Sequence, residues 1–138
     1  MNIYGSSRCV EMDRIRVAIP ADNDDIKEAH VFEHFGRAPY YLIIEITDNK
    51  ISSVEAYKNP AIEHSPGTIP EFLKSKGANV IICMGMGRRA QMFFAEYGIE
   101  IVTGASGKVS DIISSFIRGE LKSRPYQPRE KWKNFSTS

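Results

Sequence analysis

The sequence predicts a single α/β domain: a five-stranded mixed sheet flanked by helices. Three observations predict it. Short runs of branched and aromatic residues recur at residues 15–20, 40–47, 51–57, 80–84 and 99–103, each the length of a strand. From residue 80 onward, apolar run, glycine turn and helical periodicity alternate twice, the signature of a βαβ unit and hence of parallel strands. Residues 40–47 and 51–57 stand too close for anything but an antiparallel hairpin. With 138 residues, 42% hydrophobic and 25% charged, the chain can bury one genuine core and has no room for a second.

Taken in order, Ile15, Val17 and Ile19 alternate with Arg16 and Ala18, and Pro20 is expected to end this first strand. Asp22-Asn23-Asp24-Asp25 makes a polar loop, and residues 26–35, with His30, Glu33 and His34, carry no clean period. Gly36-Arg37-Ala38-Pro39 closes the loop before the hairpin, whose turn is Asp48-Asn49-Lys50. Residues 59–67, rich in Pro and Gly, hold His64. The first helix is expected to begin at Thr68, with Glu71 completing a capping box, because Pro70 is tolerated only near a helix start.

Ile69, Phe72 and Leu73 form that helix's buried stripe, and Gly77 stops it. In the second helix Ala90, Phe93, Phe94 and Tyr97 share a face that ends at Gly98. Val109, Ile112, Ile113, Phe116 and Ile117 mark a third helix, stopped by Gly119. A ribonuclease-H-like arrangement with the first strand central is one economical solution, although periodicity leaves the strand order open.

Composition narrows function by exclusion. A net charge of +1 gives no whole-molecule reason to expect nucleic acid or a membrane, and no apolar run is long enough to span a bilayer. Two cysteines, Cys9 and Cys83, build no disulfide framework, and the start lacks the pattern of a signal peptide, so a cytoplasmic location is expected. Residues 1–13 read as an N-terminal extension without fixed structure, in which Met12 is a possible alternative start. Residues 14–121 read as the domain. Residues 122–138 form a basic tail with five Lys or Arg against one Glu, which leaves the remainder of the chain at −3. Tyr126, Trp132 and Phe135 in that tail suit stacking on single-stranded nucleic acid or docking on a protein, but a solvated terminus is the preferred reading.

Three stretches together resemble the nitrogenase iron-molybdenum cofactor biosynthesis family. They are His34-Phe35-Gly36-Arg37-Ala38-Pro39-Tyr40-Tyr41, Cys83-Met84-Gly85-Met86-Gly87-Arg88-Arg89-Ala90, and Gly104-Ala105-Ser106-Gly107 with its helix. The resemblance implies a ribonuclease-H-like fold that binds or carries an iron-sulfur or iron-molybdenum type cluster without catalysing a reaction, and a protein partner in cofactor assembly. Family members often show a His-rich loop before the first long helix, where this chain has His64 in Glu63-His64-Ser65-Pro66-Gly67. Some relatives end in a His-rich tail, and this tail has no histidine.

The candidate site is therefore His34, Arg37, His64, Gly85, Met86, Gly87 and Arg88, with His34, His64 and Cys83 as possible metal ligands. A preassembled cluster brings its own sulfides, so one or two imidazoles or a thiolate can tether it, helped by backbone donors and cations. A closed zinc site needs about four Cys or His, and no close-spaced pair is present. Each candidate has a structural counterpart: a loop histidine bonded to backbone, a cysteine or methionine packed in the core, an arginine that is ordinary solvated charge. Two other functions use the same sequence. A small-anion or nucleotide-binding regulatory domain would use the glycine turn and Arg88, at a helix start where cations oppose the helix dipole. A metal-dependent nuclease would use Asp22, Asp24 and Asp25, but the first strand supplies arginines rather than an acid. Gly85-Met86-Gly87 lacks the Lys-Ser/Thr ending of a phosphate loop, and no nucleophilic triad can be assembled.

Overall fold

The computed structural model describes residues 14–60 and 67–121. The expectations for residues 1–13, for the loop carrying His64 and for residues 122–138 lie outside the described residues. Five strands form one sheet: β1 (Arg14–Ala21), β2 (Tyr40–Thr47), β3 (Lys50–Lys58), β4 (Val80–Ile82) and β5 (Glu100–Val102). Their order is β3-β2-β1-β4-β5. β2 runs antiparallel to both neighbours, whereas β4 and β5 run parallel to β1. This is the ribonuclease-H-like arrangement with β1 central.

The helices are α1 (Thr68–Ser75), α2 (Arg88–Glu96) and α3 (Val109–Ile117). Because side chains alternate across a strand, the sheet splits its apolar residues between two cores. Val17, Ile19, Leu42, Ile44, Val80 and Ile82 face α3 through Val109, Ile112 and Ile113. Ala18, Tyr41, Ile43, Ile81 and Cys83 face α1 and α2 through Ile69, Leu73 and Phe94. Ala18 is thus as buried as its neighbours, as expected for a central strand covered on both sides.

Two local expectations need correction. Pro20 does not end β1, which continues to Ala21 with Pro20 opposite Tyr41. β4 pairs with β1 only at Val17 and Ala18, so the proline lies beyond that ladder, where its missing donor costs little. Its carbonyl still accepts from the Phe32 amide at 3.0 Å. The capping box at Thr68 does not form either. Gly67 occupies the N-cap with no side-chain cap, Thr68 is the first helical residue, and the Glu71 amide donates to the Gly67 carbonyl at 3.1 Å. Pro70 then falls in the first turn, where its lost N–H has no intrahelical partner to miss.

At the end of the sheet where β1 begins, Arg16 clamps four elements. Its guanidinium donates to Glu45 Oε1 at 2.7 Å, to Glu55 Oε1 at 2.9 Å and to the Lys76 carbonyl at 3.0 Å. Burial alone would lower the Arg16 pKa, but the hydrogen bonds and charges of Glu45 and Glu55 outweigh it and hold the pKa above the usual value. Gly77, which ends α1 with φ of 82°, leaves room for this side chain, since a Cβ there would meet Arg16 Nε at 3.2 Å.

Candidate functional site

Three loops leave the carboxyl ends of β1, β4 and β5, which point the same way because those strands are parallel. The backbone stitches the loops together. The Val31 amide donates to the Gly107 carbonyl and the Val109 amide to the Ala29 carbonyl, both at 2.9 Å. The Gly104 amide donates to the Met84 carbonyl at 2.9 Å and the Ala105 amide to the Cys83 carbonyl at 3.1 Å. His30 bridges Lys108, and His34 bridges Gly85 in a parallel pair. The first and second family-like stretches are thereby in direct backbone contact, and the third is bonded to the second and to Ala29 and Val31, just upstream of the first.

The His34 loop is held from below. Phe35 is 6% exposed and packs edge-on against Tyr41 and Phe94, with ring centroids 5.7 and 5.4 Å apart. The Tyr41 hydroxyl donates to the Phe35 carbonyl at 2.6 Å, and burial raises the Tyr41 pKa far above its usual value. A short 3-10 helix over Phe35–Arg37 closes with the Arg37 amide donating to the His34 carbonyl at 2.9 Å. Asn59 Nδ2 donates to the Ala38 carbonyl at 2.9 Å and the Gly36 carbonyl at 3.2 Å. Sequence reasoning missed Tyr41 and Asn59 as positioning residues; for Tyr41 the signal was a polar aromatic at the last position of the motif, where it enters an apolar strand.

With this support beneath them, His34 and Arg37 are exposed. Gly87, Arg88 and Arg89 are exposed as well, so imidazole, guanidinium groups and the start of α2 occur along one loop edge. α2 begins with Gly87 as N-cap, without a side-chain cap and with no acid in its first turn. Its orphan amides are therefore available to a negative group. Gly87 has an ordinary φ of −70°, and a Cβ built there would meet nothing within 4 Å. Open space, rather than backbone geometry, distinguishes the position. Within the loop junction, the glycines whose backbone favours the residue are Gly104 and Gly107 in the third loop, with φ of 89° and 98°.

Cys83 and Met86 are placed differently from the exposed residues. Cys83 is fully buried in the core under α1 and α2, and burial pushes its thiol up to about 12. At neutral pH it is a small protonated hydrophobe, which corrects its inclusion among the metal ligands. Met86 is half-buried and packs against the same core, and its carbonyl accepts from Gln91 Nε2 at 3.1 Å. His64 lies outside the described residues. Its loop leaves from Asn59 and Pro60, tied to the His34 loop, and returns at Gly67, where a Cβ would meet Phe93 of α2 at 3.2 Å.

Asp22, Asn23 and Asp25 of the first loop bond its backbone. Asn23 Oδ1 accepts from the Asp25 amide, Asp25 Oδ1 from the Lys27 amide and Asp22 Oδ1 from the His30 amide, all at 2.8 to 2.9 Å. Among the described residues no group of three or more His, Cys, Asp or Glu is placed to hold a metal ion. A bare ion needing three or four protein ligands does not fit these residues. A preassembled anionic cluster needs fewer, and the exposed imidazole, guanidinium groups and uncapped amides are of the right kind for it. An open apolar groove lies alongside, between α1 and α2, lined by Met92, Phe93 and Tyr97 with Glu71 and Arg89 at its rim; His34 and Gly85 are not among its lining residues.

The fold and the loop junction define a single α/β domain whose loops after β1, β4 and β5 share one edge of the mixed sheet. The model of the dinitrogenase iron-molybdenum cofactor family matches residues 14–119, and the chain belongs to that family. Among solved structures it is similar to PH0822, at 43% identity and a TM-score of 0.73, covering 79% of this chain and 94% of that one. It is also similar to a Methanocaldococcus jannaschii protein described as a candidate dinitrogenase, at 26% identity and a TM-score of 0.66, covering 83% and 98%. A further relative is an uncharacterized protein of the same organism, 26% identical over 119 residues, which are 84% of this chain and 97% of the relative. Membership ties the chain to the chemistry of the nitrogenase cofactor at the level of the family. No helix among the described residues is long and apolar enough to cross a membrane.

Proposed function

We propose that the chain is a non-catalytic binding or carrier domain for a preassembled iron-sulfur or iron-molybdenum type cluster, received from or handed to a protein of cofactor assembly. The observation that carries this reading is the backbone bridge between His34 and Gly85. It sets the one exposed histidine of the His34 motif against the glycine turn that opens α2. In this reading His34 and His64 supply imidazole, Arg37 and Arg88 offset the cluster's negative charge, and exposed Gly87 with the uncapped amides that open α2 lines the near wall. Cys83 has no part in it.

Anaerobic reconstitution with iron and sulfide, followed by visible absorption and native mass spectrometry, tests the proposal. The expected outcome is a bound cluster that His34→Ala weakens and that His34→Ala with His64→Ala removes. Retention of the cluster by the double variant means that the ligand assignment is wrong.

The uncapped start of α2, with Arg88 and Arg89, supports a second reading as a small-anion or nucleotide-binding regulatory domain. Retained phosphate or nucleotide after purification, without cluster binding, would favour it. The nuclease reading has no matching metal geometry among the described residues, where Asp22 and Asp25 accept from backbone amides instead.

A further inference from the structure

We propose that two copies of this chain associate edge to edge through β3, antiparallel, with Ile51 of each copy opposite Val54 of the other. Among the described residues β3 is the outermost strand and pairs with β2 alone. Among them its other edge has no strand partner, the usual template for strand addition. Among the described residues, the exposed large hydrophobics are Ile51 at 45%, Val54 at 38% and Met92. Two of the three therefore sit on this one unpartnered edge.

A bulge brings those two to the same face. In a regular strand, residues three apart point to opposite sides. Here Ser53 pairs with Glu45 but Ile51 pairs with Ile46, so Ser52 is an extra residue on β3. Its hydroxyl stabilises the irregularity, 3.2 Å from the Glu45 carbonyl and 2.9 Å from Thr47 Oγ1. Directly opposed residues share a face. Ile51 opposite Ile46, and Val54 opposite Ile44, thus both lie on the α3 side of the sheet.

Charge selects the register. Centring the pair on Val54 would set Lys50 against Lys58 of the second copy, a like-charge pair that destabilises. Centring it between Ser52 and Ser53 sets Lys50 against Glu55 and Ile51 against Val54, each twice by symmetry. The faces agree as well. Lys50 and Glu55 pair with Thr47 and Ile43 of β2, on the side away from α3. Glu55 remains half-exposed, and its hydrogen bonds from Arg16 and Tyr57 both reach Oε1. The two-fold axis stands perpendicular to the sheet, so the contact is isologous and closes on itself. β3 lies at the opposite edge from β5, and both loop junctions stay open in the pair. The interface is small, so the association is weak and concentration-dependent.

Sedimentation velocity on the full chain tests this. The expected result is a sedimentation coefficient that rises from monomer toward dimer with concentration, and a Val54→Lys variant that stays monomeric with an unchanged circular-dichroism melt. In a Cys9→Ser background, oxidising a mixture of Ile51→Cys and Val54→Cys chains should join unlike chains in preference to like ones. Monomer throughout, up to about 1 mM, where even a weak and small contact would register, overturns the proposal. So does undiminished association of Val54→Lys, or cross-linking of like chains only.

Discussion

His34 and Gly85, 51 positions apart in the sequence, pair backbone to backbone as an isolated parallel bridge at the carboxyl ends of β1 and β4. Neither residue belongs to a strand. The bridge extends the sheet past its last regular pair and fixes the histidine loop beside the start of α2.

This arrangement makes Gly87 the position at which ligand binding and stability should separate. A Cβ there meets nothing and the backbone is already in an ordinary conformation, so Gly87→Ala should change stability by no more than about 1 kcal/mol, the loss of a good N-cap being offset by a stiffer unfolded chain. The methyl group would nonetheless take up open space beside the start of α2. Urea unfolding should therefore show an unaltered fold, while cluster or anion retention falls several-fold.

Tyr41→Phe should loosen the same loop from below. It leaves the buried Phe35 carbonyl without the donor now 2.6 Å away, at a cost of about 1–3 kcal/mol. Hydrogen exchange should report faster opening around Phe35–Arg37 with β4 and β5 unaffected. Uniform acceleration across the sheet would show that Tyr41 is a general core residue rather than the anchor of this loop.

Cys83 predicts an alkaline limit. Its folded pKa of about 12 stands above the unfolded value of 9.0 because of burial, so the folded state binds the proton more tightly. Its contribution is complete below pH 9 and is lost as pH rises from there toward 12, with a slope approaching about 1.4 kcal/mol per pH unit. Tyr41, raised by burial in the same core, steepens the decline from pH 10. Denaturant midpoints measured from pH 8 to 11 should fall, and Cys83→Ala should flatten the fall between pH 9 and 10. An unchanged pH profile in that variant would exclude the thiol as its origin.

Arg16→Ala should be the most damaging of these substitutions. It leaves Glu45, with 19% of its side chain exposed, and the Lys76 carbonyl without the guanidinium that now joins β1, β2, β3 and the end of α1. A loss of about 2–4 kcal/mol is expected for breaking a half-buried charged network from one side. Thermal unfolding should show it, and Arg16→Lys, which cannot span three acceptors with one planar fork, should recover only part.

Much of the fold was legible locally, because strand and helix periods, glycine stops and the Asp48-Asn49 turn are short-range properties. Both turn residues have positive φ, 53° and 65°, as a tight hairpin requires. Pro20 misled because it was judged as if its strand stood alone, whereas the start of α1 at Thr68 was read correctly and only its cap was not. Pro20 is tolerated because β4 stops short of it, and Gly67 rather than Thr68 caps α1.

The candidate site divides along the same line. By itself the sequence determined which residue types are present, and so that a centre held by histidine or cysteine could draw on three histidines and two cysteines of this chain. It also determined the element order that puts the loops after β1, β4 and β5 on one edge. Only the tertiary structure decided which of those residues meet and which are hidden. It joined His34 to Gly85, engaged Asp22 and Asp25 with backbone amides, and sealed Cys83 in the core. A periodic pattern records which face a residue occupies, whereas pairing between loops depends on non-local hydrogen bonds that leave no period in the chain.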